Sequence, residues 1–178
     1  LKDTGTPDRL AAAQTDVASG AFATRGRLDP RPALFLDRDG VINPNHPEFH
    51  EPSGYRLLPG VAEAIRGANR IGMPVIVVTN QPALAKGFMT FESHQQVRAR
   101  MDRLLGAEGA FVDDYLFCPH HPESGFVGEV PELKCVCECR KPDIALARQA
   151  AKHHGLNLAE SVMVGDTERD RGFARAAG

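Results

Sequence analysis

The chain has 178 residues, of which 42% are hydrophobic and 25% charged, and its formal net charge is −2. This length suits one domain with a sizeable core, and the small net charge offers no electrostatic footprint for nucleic acid or an anionic membrane surface. No apolar run approaches the roughly 20 residues needed to span a bilayer, so we expect a cytoplasmic monomer that binds neither nucleic acid nor membrane.

Residues 1–32 differ in composition from the remainder of the chain. They combine small residues and scattered charge without sustained periodicity, a pattern typical of an arm or a poorly ordered segment. The domain itself is therefore predicted to occupy residues 33–178.

The first predicted strand, Ala33 to Leu36, runs into the sequence Asp37-Arg38-Asp39-Gly40. Residues i and i+2 of an extended backbone face the same way, so the two carboxylates can address one substrate. Such a pair suits phosphoryl transfer, in which one carboxylate attacks phosphorus and the other exchanges a proton with the leaving oxygen and with water. Most Asp-x-Asp-Gly sequences are surface turns, so this motif alone leaves both interpretations open.

A helix and a second strand are predicted next. Apolar residues recur at helical spacing from Val61 to Ile71, and Gly72 stands where this helix would end. The continuous apolar run 74–78 is typical of a buried parallel strand. Its last residues carry a hydroxyl and two amides suited to binding phosphate or substrate: Thr79, Asn80 and Gln81.

Thr90 is placed to cap a second helix, which extends through Leu105 with an apolar stripe. A strand is predicted from Asp114 to Phe117, and it leads into the loop 118–139. All four cysteines of the chain lie in this loop.

The ligand types in the loop suit a structural Zn²⁺ ion bound by three sulfurs and one nitrogen. The predicted ligands are Cys118, His120, Cys137 and Cys139. A disulfide is one alternative, although it requires an oxidising compartment that no signal peptide indicates, and inert buried thiols are the other. Cys135 is a spare thiol, so a 135/137 or 135/139 pair stays open.

Arg140 and Lys141 follow the loop and offer fixed positive charge for a phosphate dianion, with Arg140 able to bind it in a bidentate manner. A helix is predicted over 142–154.

The buried-strand pattern from Ser161 ends at Asp166, whose carboxylate suits a Mg²⁺ ion beside Asp37. The last helix is predicted over 167–177, and because such an architecture normally continues into another strand, we expect an edge of the sheet to be missing.

This alternation of strands and helices predicts an α/β fold with a doubly wound parallel sheet. Ligands of such sheets bind at the carboxyl ends of the strands. Asp37, Thr79 and Asp166 all end predicted strands, so the fold and the chemistry point to one location.

From about Ala33 to Gly178 the chain resembles the haloacid dehalogenase phosphatases, and within them the heptose-bisphosphate and histidinol phosphatases. The likeness rests on FLDRDGVIN, VVTNQ, CPHHP, CRKP and VGD, which occur in the family's order. It implies a Rossmann-like fold with a zinc-binding loop. By this resemblance, Asp37 is the nucleophile that forms an aspartyl-phosphate and Asp39 is the general acid and base.

The resemblance also implies roles for the other motifs. Thr79 and Lys141 would stabilise the transferring phosphoryl group, and Arg140 would help to recognise the substrate. The catalytic Mg²⁺ would be held by Asp37, Asp166 and the backbone carbonyl of Asp39.

Two departures concern the substrate. The family usually has Ser-Gly after VVTNQ with an arginine shortly after, whereas this chain has Pro82-Ala83 and Lys86, and Thr167 stands where a lysine commonly follows Gly-Asp. The segment 45–48 lies where family members contact substrate, and a simple turn is as good an interpretation.

Two classes of function stay open. The favoured hypothesis is a Mg²⁺-dependent phosphomonoesterase acting on a small phosphorylated sugar, above all the C7 phosphate of a heptose bisphosphate, with histidinol phosphate as runner-up. The alternative is a catalytically silent, zinc-stabilised binding domain, against which the converging charges argue.

Overall fold

A computed structural model describes residues 29–45 and 51–178 and, before them, only residues 11, 14, 15 and 18. The chain divides into two units, Leu1–Pro30 and Arg31–Gly178. In the first unit, residues 11, 14, 15 and 18 are helical, and Thr15 Oγ1 donates a hydrogen bond of 2.9 Å to the Ala11 carbonyl. Most of the predicted arm, like residues 46–48 of the segment near the expected substrate position, lies outside the described residues.

Four short strands of the second unit form one sheet: β1 Leu34–Leu36, β2 Val75–Asn80, β3 Asp114–Cys118 and β4 Val162–Val164. Their order is β3-β2-β1-β4, and every neighbouring pair is parallel. The chain therefore moves outward from β1 to β3 and then returns to the other side of β1. This topology confirms the predicted doubly wound parallel sheet, and it puts the carboxyl end of β1 at the point where the strand order reverses, the usual ligand position in such folds.

Among its described residues, the second unit contains the α-helices α1 Val61–Arg70, α2 Pro82–Ala85, α3 Phe91–Ala107, α4 Ala145–His154 and α5 Glu168–Ala177, with 3-10 turns at Pro131–Leu133 and Leu158–Glu160. Thr90 caps α3 as predicted, since its side chain accepts a hydrogen bond from the Ser93 amide. Gly155 ends α4 with φ of 62°, a left-handed conformation that favours glycine. The predicted helix start at residue 142 is three residues too early. Residues 140–143 form a turn instead, in which the Asp143 N–H donates to the Arg140 carbonyl at 3.0 Å.

Alternate side chains of the strands pack on opposite faces of the sheet. Leu36, Val75 and Val77 lie in a core cluster with residues of α1 and α3. Phe35, Ile76 and Val78 lie in a second cluster with residues of α4 and α5. The sheet is thus covered by helices on both faces, and no helix in the described part of the chain has the length and apolar character to cross a membrane.

The prediction of a buried strand at Ser161 to Asp166 is wrong in its burial. Val162 and Val164 are 53% and 42% exposed. They lie on an edge strand, and the first core cluster contains no residue of β4. An apolar run specifies a strand, but its burial depends on which elements cover it.

Candidate active site

A cavity of about 370 Å³ opens where the strands end. Asp37 follows β1, Thr79 and Asn80 end β2, and Asp166 follows β4. All the residues predicted for catalysis, phosphate binding and magnesium line this one cavity: Asp37, Asp39, Thr79, Asn80, Gln81, Arg140, Lys141 and Asp166. The structure therefore brings together side chains that are up to 129 positions apart in the sequence, from 37 to 166.

Lys141 lines the cavity and lies between two carboxylates. Its ammonium is 3.1 Å from Asp37 Oδ2 and 2.5 Å from Asp170 Oδ1, and the side chain is only 2% exposed. Burial raises the pKa of Asp37 above its ordinary value despite the opposing effect of Lys141. Burial also acts to raise the pKa of Asp170, but the hydrogen bonds from Lys141 and Thr167 outweigh it and hold that pKa below its usual value.

Asp37, Asp166 and Asp170 form a group that could hold a cation. Each offers a carboxylate oxygen, and the three oxygens lie within 4.8 Å of one another. A Cβ at Gly40, whose φ is +86°, would overlap the Asp166 carboxylate, so glycine is what permits this close approach. Oxygen donors of this kind fit Mg²⁺.

Sequence reasoning missed Asp170. The available signal was the pattern Thr167-x-x-Asp170 before a helix, which predicts a capping box. That box is present, with the Asp170 carboxylate accepting from the Thr167 N–H at 3.0 Å. Asp170 thus caps α5 through Oδ2, while its Oδ1 accepts a hydrogen bond from the Lys141 ammonium.

The Asp39 carboxylate accepts four hydrogen bonds. Arg38 donates two, from Nε at 3.0 Å and from Nη2 at 2.9 Å, and the amides of Gln81 and Asn43 donate at 2.7 and 2.9 Å. Burial alone would raise the pKa of Asp39, but Arg38 and the two amides hold it below its ordinary value. The structure therefore presents Asp39 as an ionised carboxylate able to accept a proton.

Arg38 is the second functional residue that the sequence did not reveal. Its side chain is fully buried, and besides Asp39 it donates to the side-chain oxygen Oε1 of Gln81 at 2.9 Å. A buried guanidinium without an anionic partner would be strongly unfavourable, so Arg38 and Asp39 depend on each other. Alternation along a strand predicts that a residue between two site carboxylates faces away from the ligand, and it gives no indication of this bidentate pair.

The buried hydrogen-bond network continues beyond Arg38. Arg38 Nη1 donates to the Tyr115 hydroxyl at 3.2 Å, and that hydroxyl is 3.2 Å from His94 Nε2. Since the hydroxyl accepts from Arg38, its own proton is available for His94, which then acts as a neutral acceptor. Burial and the nearby Arg38 charge lower the pKa of His94 to about 4.

The side-chain amides of Asn80 and Gln81, both predicted to bind phosphate or substrate, make hydrogen bonds to neighbouring protein groups. Asn80 donates to the Lys141 carbonyl at 3.1 Å and accepts from the Lys141 N–H at 2.9 Å, which fixes Lys141 against the end of β2. Gln81 links Asp39 to Thr79, whose hydroxyl accepts from Gln81 Nε2 at 3.0 Å. Asn80 and Gln81 thus line the cavity mainly as supports for charged neighbours.

The predicted zinc ligands also converge. Cys118 Sγ is 3.5 Å from Cys137 Sγ and 3.7 Å from His120 Nδ1, and Cys139 Sγ is 3.4 Å from Cys137 Sγ and 3.2 Å from His120 Nδ1. All four ligand atoms lie within 4.8 Å of one another. These separations fit a tetrahedral ion with ligand bonds of about 2.0–2.3 Å. Cys135 is exposed and stands outside this group.

Comparison with known proteins agrees with the geometry. Residues 38–178 match a family described as haloacid dehalogenase-like hydrolase. The D-glycero-beta-D-manno-heptose-1,7-bisphosphate 7-phosphatases of Yersinia pestis and Escherichia coli K12 are 39% and 38% identical over 146 residues, which are 82% of this chain and 76% and 74% of those proteins. The crystal structure of the D,D-heptose 1,7-bisphosphate phosphatase from B. bronchiseptica, complexed with magnesium and phosphate, superposes with a TM-score of 0.71 at 32% identity, covering 83% of this chain and 76% of that one.

We expect His94 to make the stability of the fold sensitive to acid. Its pKa is about 4 in the folded state against 6.5 ordinarily, so the unfolded chain binds more protons between these values and the free energy of unfolding falls as the pH is lowered through this range. Urea unfolding of the wild type and His94→Gln at both ends of the range measures the effect. The variant should lose less stability on acidification. His153→Gln, at an exposed position of α4, serves as control, and equal losses in wild type and His94→Gln would contradict the assignment.

Proposed function

The chain belongs to the haloacid dehalogenase-like hydrolase family and is a phosphatase, and we propose that it removes the C7 phosphate of D-glycero-D-manno-heptose 1,7-bisphosphate through an aspartyl-phosphate at Asp37. The observation that carries the proposal is the single cavity in which Asp37 faces Lys141 beside Asp39 and Thr79. The substrate is suggested by the relatives in Yersinia pestis and Escherichia coli, which are heptose-bisphosphate 7-phosphatases.

In the proposed first step, a carboxylate oxygen of Asp37 attacks phosphorus and the bond from phosphorus to the sugar oxygen breaks. Lys141 and the Thr79 hydroxyl interact with the phosphoryl oxygens, where negative charge must be stabilised in the transition state. Protonated Asp39 gives its proton to the leaving oxygen, so the sugar departs as an alcohol.

In the second step, water attacks the aspartyl-phosphate and releases inorganic phosphate. Ionised Asp39 accepts the proton of this water, and its low pKa in the described structure corresponds to that form. Proton transfer regenerates the protonated acid, which the next first step requires. Arg38, Gln81 and Asn43 hold the carboxylate in place through both steps.

The residues present fit a catalytic Mg²⁺ ion held by Asp37, Asp166 and the Asp39 backbone carbonyl. A bound cation would favour the ionised form of Asp37, whose pKa burial raises, and would offset the charge of the phosphate. Asp170 accepts hydrogen bonds from Lys141 and Thr167 and lies next to Asp37 and Asp166.

The four-ligand group of the loop fits a structural Zn²⁺ ion. Between β3 and α4 the chain forms a 3-10 turn but no strand, so it has few backbone hydrogen bonds of regular structure. A metal bound to Cys118, His120, Cys137 and Cys139 would stabilise this segment. All four positions are protein ligands, which is the pattern of a structural site.

Asp37→Asn should abolish turnover while leaving the protein folded, because the amide keeps the shape of the side chain and loses the nucleophile. Phosphate release from heptose 1,7-bisphosphate with Mg²⁺ should fall by about 1,000-fold or more. Asp143→Asn, at an exposed position outside the cavity, should retain wild-type activity.

The same assay with other phosphoesters separates the remaining hypotheses. Preferred turnover of histidinol phosphate would replace the proposed substrate, and full activity of Asp37→Asn would refute the nucleophile. A wild-type protein that releases phosphate from no ester, yet is folded and binds the metals, would indicate the silent domain instead.

Metal analysis of the purified protein should find about one zinc per chain. Cys137→Ser should lose the metal and melt at a lower temperature, since it removes one of the four ligands. Cys135→Ser is the matched control and should keep both the metal and the melting temperature. Loss of zinc from Cys135→Ser, or unchanged melting of the metal-free protein, would contradict the proposed ligand set.

A further inference from the structure

The catalytic cavity carries more positive charge than its carboxylates neutralise. Lys86, Arg140 and Arg169 line it together with Lys141. Lys141 is paired with Asp37 and Asp170. In the part of the chain that the structure describes, none of the other three cations has a carboxylate at ion-pair distance.

These three cations come from both sides of β1. Lys86 follows β2 and Arg140 precedes α4, whereas Arg169 follows β4 on the opposite side of β1 in the sheet. The Lys86 ammonium lies 4.5 Å from the centroid of the Phe126 ring, and Arg140 Nη1 donates to the His120 carbonyl at 3.1 Å. The Arg169 side chain is exposed, and it makes no hydrogen bond or ion pair with the other residues that the structure describes.

The reacting phosphate does not account for this excess. Lys141 and the proposed divalent cation would already offset the charge of the attacked phosphoryl group. Three further like charges beside one small cavity repel each other, and an anionic group bound among them would relieve that repulsion. An arginine is suited to such a contact because its guanidinium can bind two oxygens of one phosphate.

On the β4 side of the cavity, Arg169 is the residue able to supply such a contact. The Thr167 hydroxyl is committed to Asp170 Oδ2 at 2.5 Å, and Thr167 carries no charge. Arg171, two positions further along α5, is paired with Glu168 at 2.6 Å and does not line the cavity.

We propose that Arg169 binds a second, non-reacting phosphate of the substrate and thereby determines the preference for a sugar bisphosphate over a monophosphate. This inference rests on the proposed phosphatase function and names the residue that selects its substrate. Lys86 and Arg140 complete the cationic surroundings of that second group.

The test compares heptose 1,7-bisphosphate with heptose 7-phosphate, which has the same reacting ester and lacks the second phosphate. In Arg169→Gln, the ratio of KM for the bisphosphate to KM for the monophosphate should rise about 10-fold, as expected for one lost charge-assisted contact. Arg169→Lys should restore part of the wild-type ratio because the charge is kept and the bidentate geometry is lost. Arg171→Gln is the matched control and should keep the wild-type ratio.

Calorimetric binding of both esters to Asp37→Asn and to the Asp37→Asn, Arg169→Gln double variant, with Mg²⁺ present, separates this inference from the catalytic proposal. The double variant should bind the bisphosphate about 10-fold more weakly, with a smaller change for the monophosphate. An equal change for both esters, or none, would overturn the role of Arg169 even if the enzyme hydrolyses the bisphosphate. Selective weakening would support it even if the preferred reacting ester proves to be different.

Discussion

The arrangement depends on one buried cation, the Lys141 ammonium, held between Asp37 and Asp170. A buried ammonium without anionic partners would be strongly unfavourable, so its position is tolerated only if both carboxylates come to it. Asp37 follows β1, Asp170 belongs to α5, and the Asn80 amide fixes the Lys141 backbone to β2. This single charge therefore ties together the ends of three chain segments, and it follows directly after the proposed zinc ligand Cys139 and its neighbour Arg140.

A second buried cation, Arg38, is paired with the Asp39 carboxylate in the way that Lys141 is paired with Asp37. The two pairs give the two carboxylates of one short motif opposite tendencies: burial raises the pKa of Asp37, while Arg38 and two amides overcome burial at Asp39 and lower its pKa. Carboxylates whose environments separate their pKa values are suited to different roles in catalysis. The Arg38 network also reaches Tyr115 and His94 in the core, so the geometry of the site and the packing of α3 depend on each other.

Much of this could be predicted from the sequence because strand ends, caps and ligand types are local signals. Asp37, Thr79 and Asp166 could be placed in one cavity because parallel strands present their carboxyl ends at the same edge of the sheet. Arg38 and Asp170 could not be assigned, because a local pattern shows where a side chain starts and not which distant charge it meets. The exposure of β4 and the late start of α4 were missed for a similar reason: both depend on contacts, with covering elements in one case and within the turn after Arg140 in the other.

As the proposed nucleophile, Asp37 becomes covalently bonded to phosphorus during turnover. The direct measurement is to quench the enzyme during hydrolysis of heptose 1,7-bisphosphate, reduce the acyl-phosphate with borohydride and locate the modified residue by peptide mass spectrometry. We expect the side chain at position 37 to be reduced to the corresponding alcohol, and no such product to form without substrate. Modification of another residue, or turnover without modification of Asp37, would contradict it.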